Sequence, residues 1–168
     1  MAKLVNMPAL ASPASPLFLR EPEVRKGIEL LYFGYSRYTR SIDDDLARYG
    51  LGRAHHRAVY FIARRPGLTV SELLAILAIT KQSLGRVLND LTERELVETR
   101  PGERDRRQRL LFLTEAGTAM ETELFEAGRK RMSQAYARAG QNAVSGFWAV
   151  LEGLIPENNM PQLDKPRD

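Results

Sequence analysis

The chain has 168 residues, 43% of them apolar, and a formal net charge of +4 with a pI near 9.6. That length supports one buried core, and the basic bias permits nucleic acid or a membrane surface as partner. It has no cysteine, which excludes disulfides, thiolate metal sites and thiol redox sensing.

The opening stretch "MAKLVNMPALASPASP" breaks its apolar residues with proline. It has no continuous hydrophobic region of a secretory signal, so residues 1–22 are expected to be a flexible arm. No run approaches the ~20 apolar residues that span a bilayer, and a cytoplasmic protein with no membrane partner is expected.

From Glu23 to Tyr49 proline is absent, and Val24, Ile28, Leu31, Tyr35, Tyr38, Ile42 and Leu46 recur in steps of three and four. This spacing predicts a long amphipathic helix ending at Gly50. A second helix fits 53–64 and stops at Pro66-Gly67. Thr69 and Glu72 form a capping box, so a short helix starts at Val70 and ends near Leu77. Thr80 can cap another, running to about Arg94, with Leu84, Val87, Leu88 and Leu91 on its inner face. Two helices joined so closely make a helix-turn-helix.

Leu96–Arg100 and Leu110–Leu113 read as two strands of a hairpin. Thr114 caps a helix over 115–139 with Met120, Leu124, Met132 and Tyr136 on one side, and a last helix follows over about 141–155. Residues 156–168 are a polar, proline-containing tail. The expected fold class is mostly α with a small β-hairpin wing. A winged helix-turn-helix (about 53–114) sits between terminal helices (about 23–49 and 115–155) in a single domain, 23–155.

The chemistry lies in two places. The outer face of the helix after Thr80 carries Lys81, Gln82, Ser83, Arg86 and Asn89, side chains suited to phosphates and base edges. Gly85 among them lets backbone approach a duplex closely. The hairpin tip spans Arg100 to Arg109 and holds five arginines (100, 104, 106, 107, 109) against Glu103 and Asp105. Like charges on a narrow loop repel, so folding does not explain them. Arginine suits the enhanced negative potential of a narrow minor groove. Asp105 is placed to hold the Arg107 guanidinium by a charge-assisted hydrogen bond. Arg104, Asp105, Arg106 and Arg107 therefore join the candidate DNA-binding set.

"DRRQRLLFLTEAG" after "ITKQSLGRVLNDLTERELVETRPGER" resembles the MarR family of bacterial transcription regulators over about residues 23–155. Asp105 and Arg107 match the wing Asp-x-Arg, and Leu113, Thr114 and Gly117 match "LTxxG". "GRAHHRAVYFIARRPGLTVSELLAILAITKQSLGRVL" further resembles the PetP-like subgroup. The resemblance implies a homodimer of interlocked terminal helices, binding pseudo-palindromic double-stranded DNA with helix in major groove and wing arginine in minor groove. It also implies a small, often aromatic, ligand between dimer helices and winged domain, near Tyr35, Tyr38, His56 and Tyr60. Gly85 departs from the family, which often has Ser or Thr there. Independently, Leu17, Phe18, Phe147, Trp148, Leu151 and Leu154 lie in terminal segments and need a partner surface.

Other chemistry is weak. His55 and His56 are adjacent on a helix, about 100° apart, and cannot chelate one metal together. One is expected to pack and the other to face solvent. Asp43, Asp44 and Asp45 spread around a helix in the same way. No G-x-S-x-G or other catalytic set occurs, so no enzyme, cofactor or metal is expected. The sequence reads as a sequence-specific DNA-binding regulator, expected to be a ligand-modulated repressor. An architectural DNA-binding protein and a winged-helix protein-interaction module are the alternatives.

Overall fold

The computed structural model describes residues 15–103 and 105–156. They fall into two compact units, one ending at Arg37 and one beginning at Tyr38.

The first unit departs from the expected irregular arm. Pro16–Leu19 form a 3-10 helix capped by Ser15, whose Oγ accepts from Leu17 N–H at 3.4 Å. Helix α1 (Glu21–Arg48) then begins before Pro22. A proline in the first turn loses no helical bond, because the N–H it lacks would have no partner there. Residues 1–14 lie outside the described residues, and with them most of the expected arm. The apolar stripe Val24, Ile28, Leu31 and Tyr35 is exposed, as are Leu17 and Phe18.

The second unit holds the core. Ile42 and Leu46 on the last turns of α1 are buried. The helix ends in a Schellman motif. Leu51 N–H donates to Leu46 O (3.0 Å), Gly50 N–H donates to Ala47 O (2.9 Å), and Gly50 takes φ +63°. Helix α2 (Arg53–Arg64) buries Ala58, Val59 and Ile62. It gives way to an Arg65-Pro66-Gly67-Leu68 turn closed by Leu68 N–H to Arg65 O at 3.2 Å, with Gly67 at φ +82°. Proline second and a positive-φ glycine third are the requirements of a type II turn.

Helices α3 (Val70–Leu77) and α4 (Lys81–Glu93) form the helix-turn-helix. The capping box is present: Thr69 Oγ1 accepts from Glu72 N–H at 3.2 Å, and the Glu72 carboxylate accepts from Thr69 N–H at 2.7 Å. Leu84, Val87 and Leu91 of α4 are buried and Leu88 is partly buried. Strands β2 (Val97–Pro101) and β3 (Arg109–Leu113) form the wing, with Thr99 opposite Leu111. A further strand, β1 (Leu68–Thr69), pairs antiparallel with β3, so the sheet has three strands in the order β1-β3-β2. Two residues carry no readable periodicity, which is why the sequence points only to a hairpin.

Helix α5 (Glu115–Ala139) starts at Thr114, whose Oγ1 accepts from Gly117 N–H at 3.0 Å and donates to Glu95 O at 2.6 Å. A Cβ on Gly117 would stand 2.0 Å from the Leu96 carbonyl oxygen. The glycine of "LTxxG" is therefore required by the close approach of α5 to the chain entering β2. Helix α6 (Gln141–Leu154) folds back on α5, with Trp148 Nε1 donating to Tyr136 OH at 2.9 Å.

Candidate nucleic-acid interface

Helix α4 presents its polar face as the spacing predicts. With Leu84, Val87 and Leu91 inward, Lys81, Gln82, Ser83, Arg86 and Asn89 are all exposed. Thr80 starts the helix by accepting Ser83 N–H at 3.1 Å. Its hydroxyl also donates to Ser83 Oγ at 2.8 Å, so Ser83 is partly engaged within the cap. Nothing lies within 4 Å of where a Gly85 Cβ would stand, so no packing within the chain requires glycine there. Gly85, Asn89 and Thr92 share one groove with Thr99 and Arg109. The polar face of α4 and the base of the wing are thus one continuous surface.

The wing arginines divide by position. Arg100 stacks over the Phe112 ring at 4.4 Å and donates to Glu98. Arg109 donates to Thr99 Oγ1 at 3.3 Å. These two serve the strands. Arg106 and Arg107 stand exposed at the tip, and among the described residues neither guanidinium has a hydrogen-bond or ion-pair partner. Arg104 lies outside the described residues.

Asp105 does not hold the Arg107 guanidinium, as the sequence suggests. Its Oδ1 accepts the Arg107 main-chain N–H at 2.9 Å. The short aspartate side chain reaches the backbone two residues on more easily than the end of a long arginine, and it closes an Asx turn. Gln108 N–H donates to Asp105 O and Gly102 N–H donates to Gln108 O, each at 3.0 Å. A Cβ on Gly102 would meet the Asp105 carbonyl oxygen at 2.7 Å. Glycine and aspartate together shape a tight tip that projects Arg106 and Arg107.

The candidate ligand residues are divided between the two units. Tyr35 is exposed in the first unit. Tyr38, His56 and Tyr60 belong to the second and are partly buried, with the His56 and Tyr60 rings 6.5 Å apart. Burial raises the Tyr38 hydroxyl pKa, and the neighbouring Tyr60 adds to it. Burial lowers the His56 pKa, with Arg57 adding to this and Asp43 opposing it.

Neither histidine faces solvent freely, contrary to the expectation for one of them. His55 Nδ1 accepts from Gly52 N–H at 3.2 Å, and its Nε2 lies 3.0 Å from Asp90 Oδ2 on α4. Asp43 binds Arg53 through both oxygens, at 2.8 and 2.6 Å, which lowers its pKa. No group of three or more metal-ligating side chains occurs among the described residues. Sequence reasoning misses the tie from His55 to Asp90. Its only sequence trace is the Asp90–Arg94 spacing of four on a helix.

Residues 49–108 match the MarR family profile. The HTH-type transcriptional regulator PetP of Rhodobacter capsulatus is 52% identical over 139 residues, covering 83% of this chain and 84% of that protein. The chain belongs to the MarR family. Two MarR-family crystal structures share its fold. One, from Silicibacter pomeroyi, has a TM-score of 0.66 at 20% identity over 82% of this chain and 92% of that one. The other is a mutant MarR from E. coli complexed with operator DNA, with a TM-score of 0.63 at 20% identity over 85% of this chain and 100% of that one. The winged helix-turn-helix described above is the fold that these structures share.

Proposed function

We propose that this DNA-binding transcription regulator of the MarR family acts as a homodimeric repressor, covering a pseudo-palindromic site within a promoter. One observation carries the reading: the exposed polar face of α4 is continuous with a wing at whose tip the Arg106 and Arg107 guanidiniums have no partner among the described residues. Gln82, Arg86 and Asn89 are the candidates for base edges, Lys81 and Ser83 for phosphates, and Arg106 and Arg107 for the minor groove. Arg104 belongs to the same candidate set by sequence alone.

The exposed apolar side chains of the terminal segments support a dimer: Leu17 and Phe18 before α1, and Phe147, Trp148 and Leu154 on α6, with Leu151 partly covered. The partly buried rings of Tyr38, His56 and Tyr60 support a small aromatic effector in the second unit. Such a ligand would act by favouring a dimer whose recognition helices no longer match half-sites about one helical turn apart. A regulator that binds promoter DNA acts in the cytoplasm in this reading, and no helix among the described residues is long and apolar enough to cross a membrane.

The test is selection of bound duplexes from a random pool by the purified chain. Enrichment of an inverted repeat with half-sites about one helical turn apart is the expected result. Binding without enrichment would replace this reading with an architectural one, and salt-independent or absent binding would replace it with a protein-interaction role.

A further inference from the structure

Behind the polar face of α4, a chain of directional contacts fastens that helix to three other elements of the second unit. Asp90 on α4 lies at its centre. Its Oδ2 is 3.0 Å from His55 Nε2 on α2, and its Oδ1 accepts from Arg94 Nε at 2.7 Å. Arg94 Nη1 donates to the Tyr49 carbonyl oxygen at 3.0 Å. That carbonyl stands at the end of α1, where carbonyls lack helical partners. The guanidinium lies across the α1–α2 turn, where a Cβ on Gly50 would be 3.5 Å from it. Tyr49 OH in turn donates to Glu123 Oε2 on α5 at 2.5 Å, and Arg48 binds the other oxygen of that carboxylate. Because His55 Nδ1 accepts from Gly52 N–H, the neutral ring carries its proton on Nε2 and donates it to Asp90.

The His55, Asp90 and Arg94 side chains are 20–42% exposed, so each contact adds little to stability. Their value is directional. The apolar face of α4 fixes its depth, and the two contacts that leave the helix, Asp90 to His55 and Arg94 to the Tyr49 carbonyl, constrain rotation about the helix axis. Base-edge contacts depend on that rotation, while phosphate attraction depends on it far less. Asp90 is also a carboxylate on the helix that faces a polyanion, and Arg94 offsets its charge.

We propose that His55, Asp90 and Arg94 are positioning residues that set the rotation of the recognition helix, and with it discrimination between DNA sequences rather than overall DNA affinity. The proposal rests on α4 being the DNA-reading helix.

The test compares the full chain with Asp90→Asn, Arg94→Lys and the double variant. Probes are the duplex that the wild type itself enriches from a random pool, and poly(dI-dC) at the same salt. Lysine keeps the charge of Arg94 but cannot reach Asp90 and the Tyr49 carbonyl together. Each single variant should bind the enriched duplex about tenfold more weakly and poly(dI-dC) within about twofold of wild type. The double variant should be no worse than the weaker single, because both break one device. His55→Gln, which removes one link only, carries the same comparison if Asp90→Asn fails to fold. Wild-type affinity for the enriched duplex in the folded variants would overturn the proposal. So would equal losses on both DNAs, which mark a charge contact, or full rescue by lysine. A wild type that enriches no sequence would overturn the DNA-reading assignment itself, a failure visible before any variant is made.

Discussion

Gly117 has no room for a side chain. A methyl group there would stand 2.0 Å from the Leu96 carbonyl oxygen, so Gly117→Ala must push α5 off the wing. We expect a loss of about 3 kcal/mol or more, read as a lower midpoint in urea. The Arg107 guanidinium, by contrast, is exposed and has no partner among the described residues, so Arg107→Ala should leave the melting temperature nearly unchanged. It should weaken binding to the selected duplex by roughly 1–3 kcal/mol. Asp105 shapes the backbone of that tip, and an asparagine oxygen can accept the same N–H. Asp105→Asn should therefore bind DNA nearly as wild type while Asp105→Ala binds more weakly. Equal loss in both would restore a charge role for Asp105. His56 controls part of the pH response. Its folded-state pKa is below the ordinary value of 6.5, chiefly through burial, so the unfolded chain takes up its proton first as pH falls. Stability should decline as pH drops below about 6.5, down to the folded-state pKa. The Asp43, Asp90 and Glu123 carboxyls are held low by hydrogen bonds to Arg53, Arg94 and Tyr49, so their loss comes at more acid pH. His56→Gln should flatten the upper part of the profile in chemical denaturation, and an unchanged slope there would refute the assignment.

At the scale of elements, the caps and turns were legible because each depends on local chemistry. Thr69 with Glu72, Thr80, Thr114, Gly50 and the Pro66-Gly67 turn all act where the sequence puts them. The terminal elements were less legible. The apolar stripe on the first turns of α1 has helical spacing, but that spacing gives no hint of what covers it, and in the single chain it is exposed. On α6, Trp148 is tied to Tyr136 yet remains half exposed. Trp148→Ala and Leu151→Asp should lower the apparent mass in light scattering and weaken DNA binding in parallel, since one winged helix loses the second half-site. A wild-type chain that is monomeric at micromolar concentration would refute the dimer.

At the scale of the whole molecule, a net charge of +4 is modest, and its effect depends on where the positive charge stands. Exposed Lys81, Arg86, Arg106 and Arg107 lie on α4 and the wing tip. Log affinity plotted against log salt should therefore fall steeply, with a slope of about −0.9 for each phosphate neutralised. Arg107→Ala should reduce that slope by about one for each subunit engaged. A flat dependence would count against electrostatic contact with DNA.

The helices of the second unit, their caps, the helix-turn-helix and the wing are all readable from local pattern, because periodicity, capping residues and turn residues act over a few positions. The same pattern also separates the outer from the inner face of α4, since Leu84, Val87 and Leu91 leave Lys81, Gln82, Arg86 and Asn89 no other side to occupy. The remaining features depend on packing between elements and on competition among nearby partners. Strand β1 exists because β3 offers it hydrogen bonds, and Gly117 is required because Leu96 is brought against it. Asp105 turned to its own backbone, Arg100 and Arg109 were drawn onto the sheet, and His55 found Asp90 on a separate helix. Each of these contacts joins groups whose meeting depends on how separate elements pack, or on which of several nearby partners a side chain reaches first, and no local pattern encodes either.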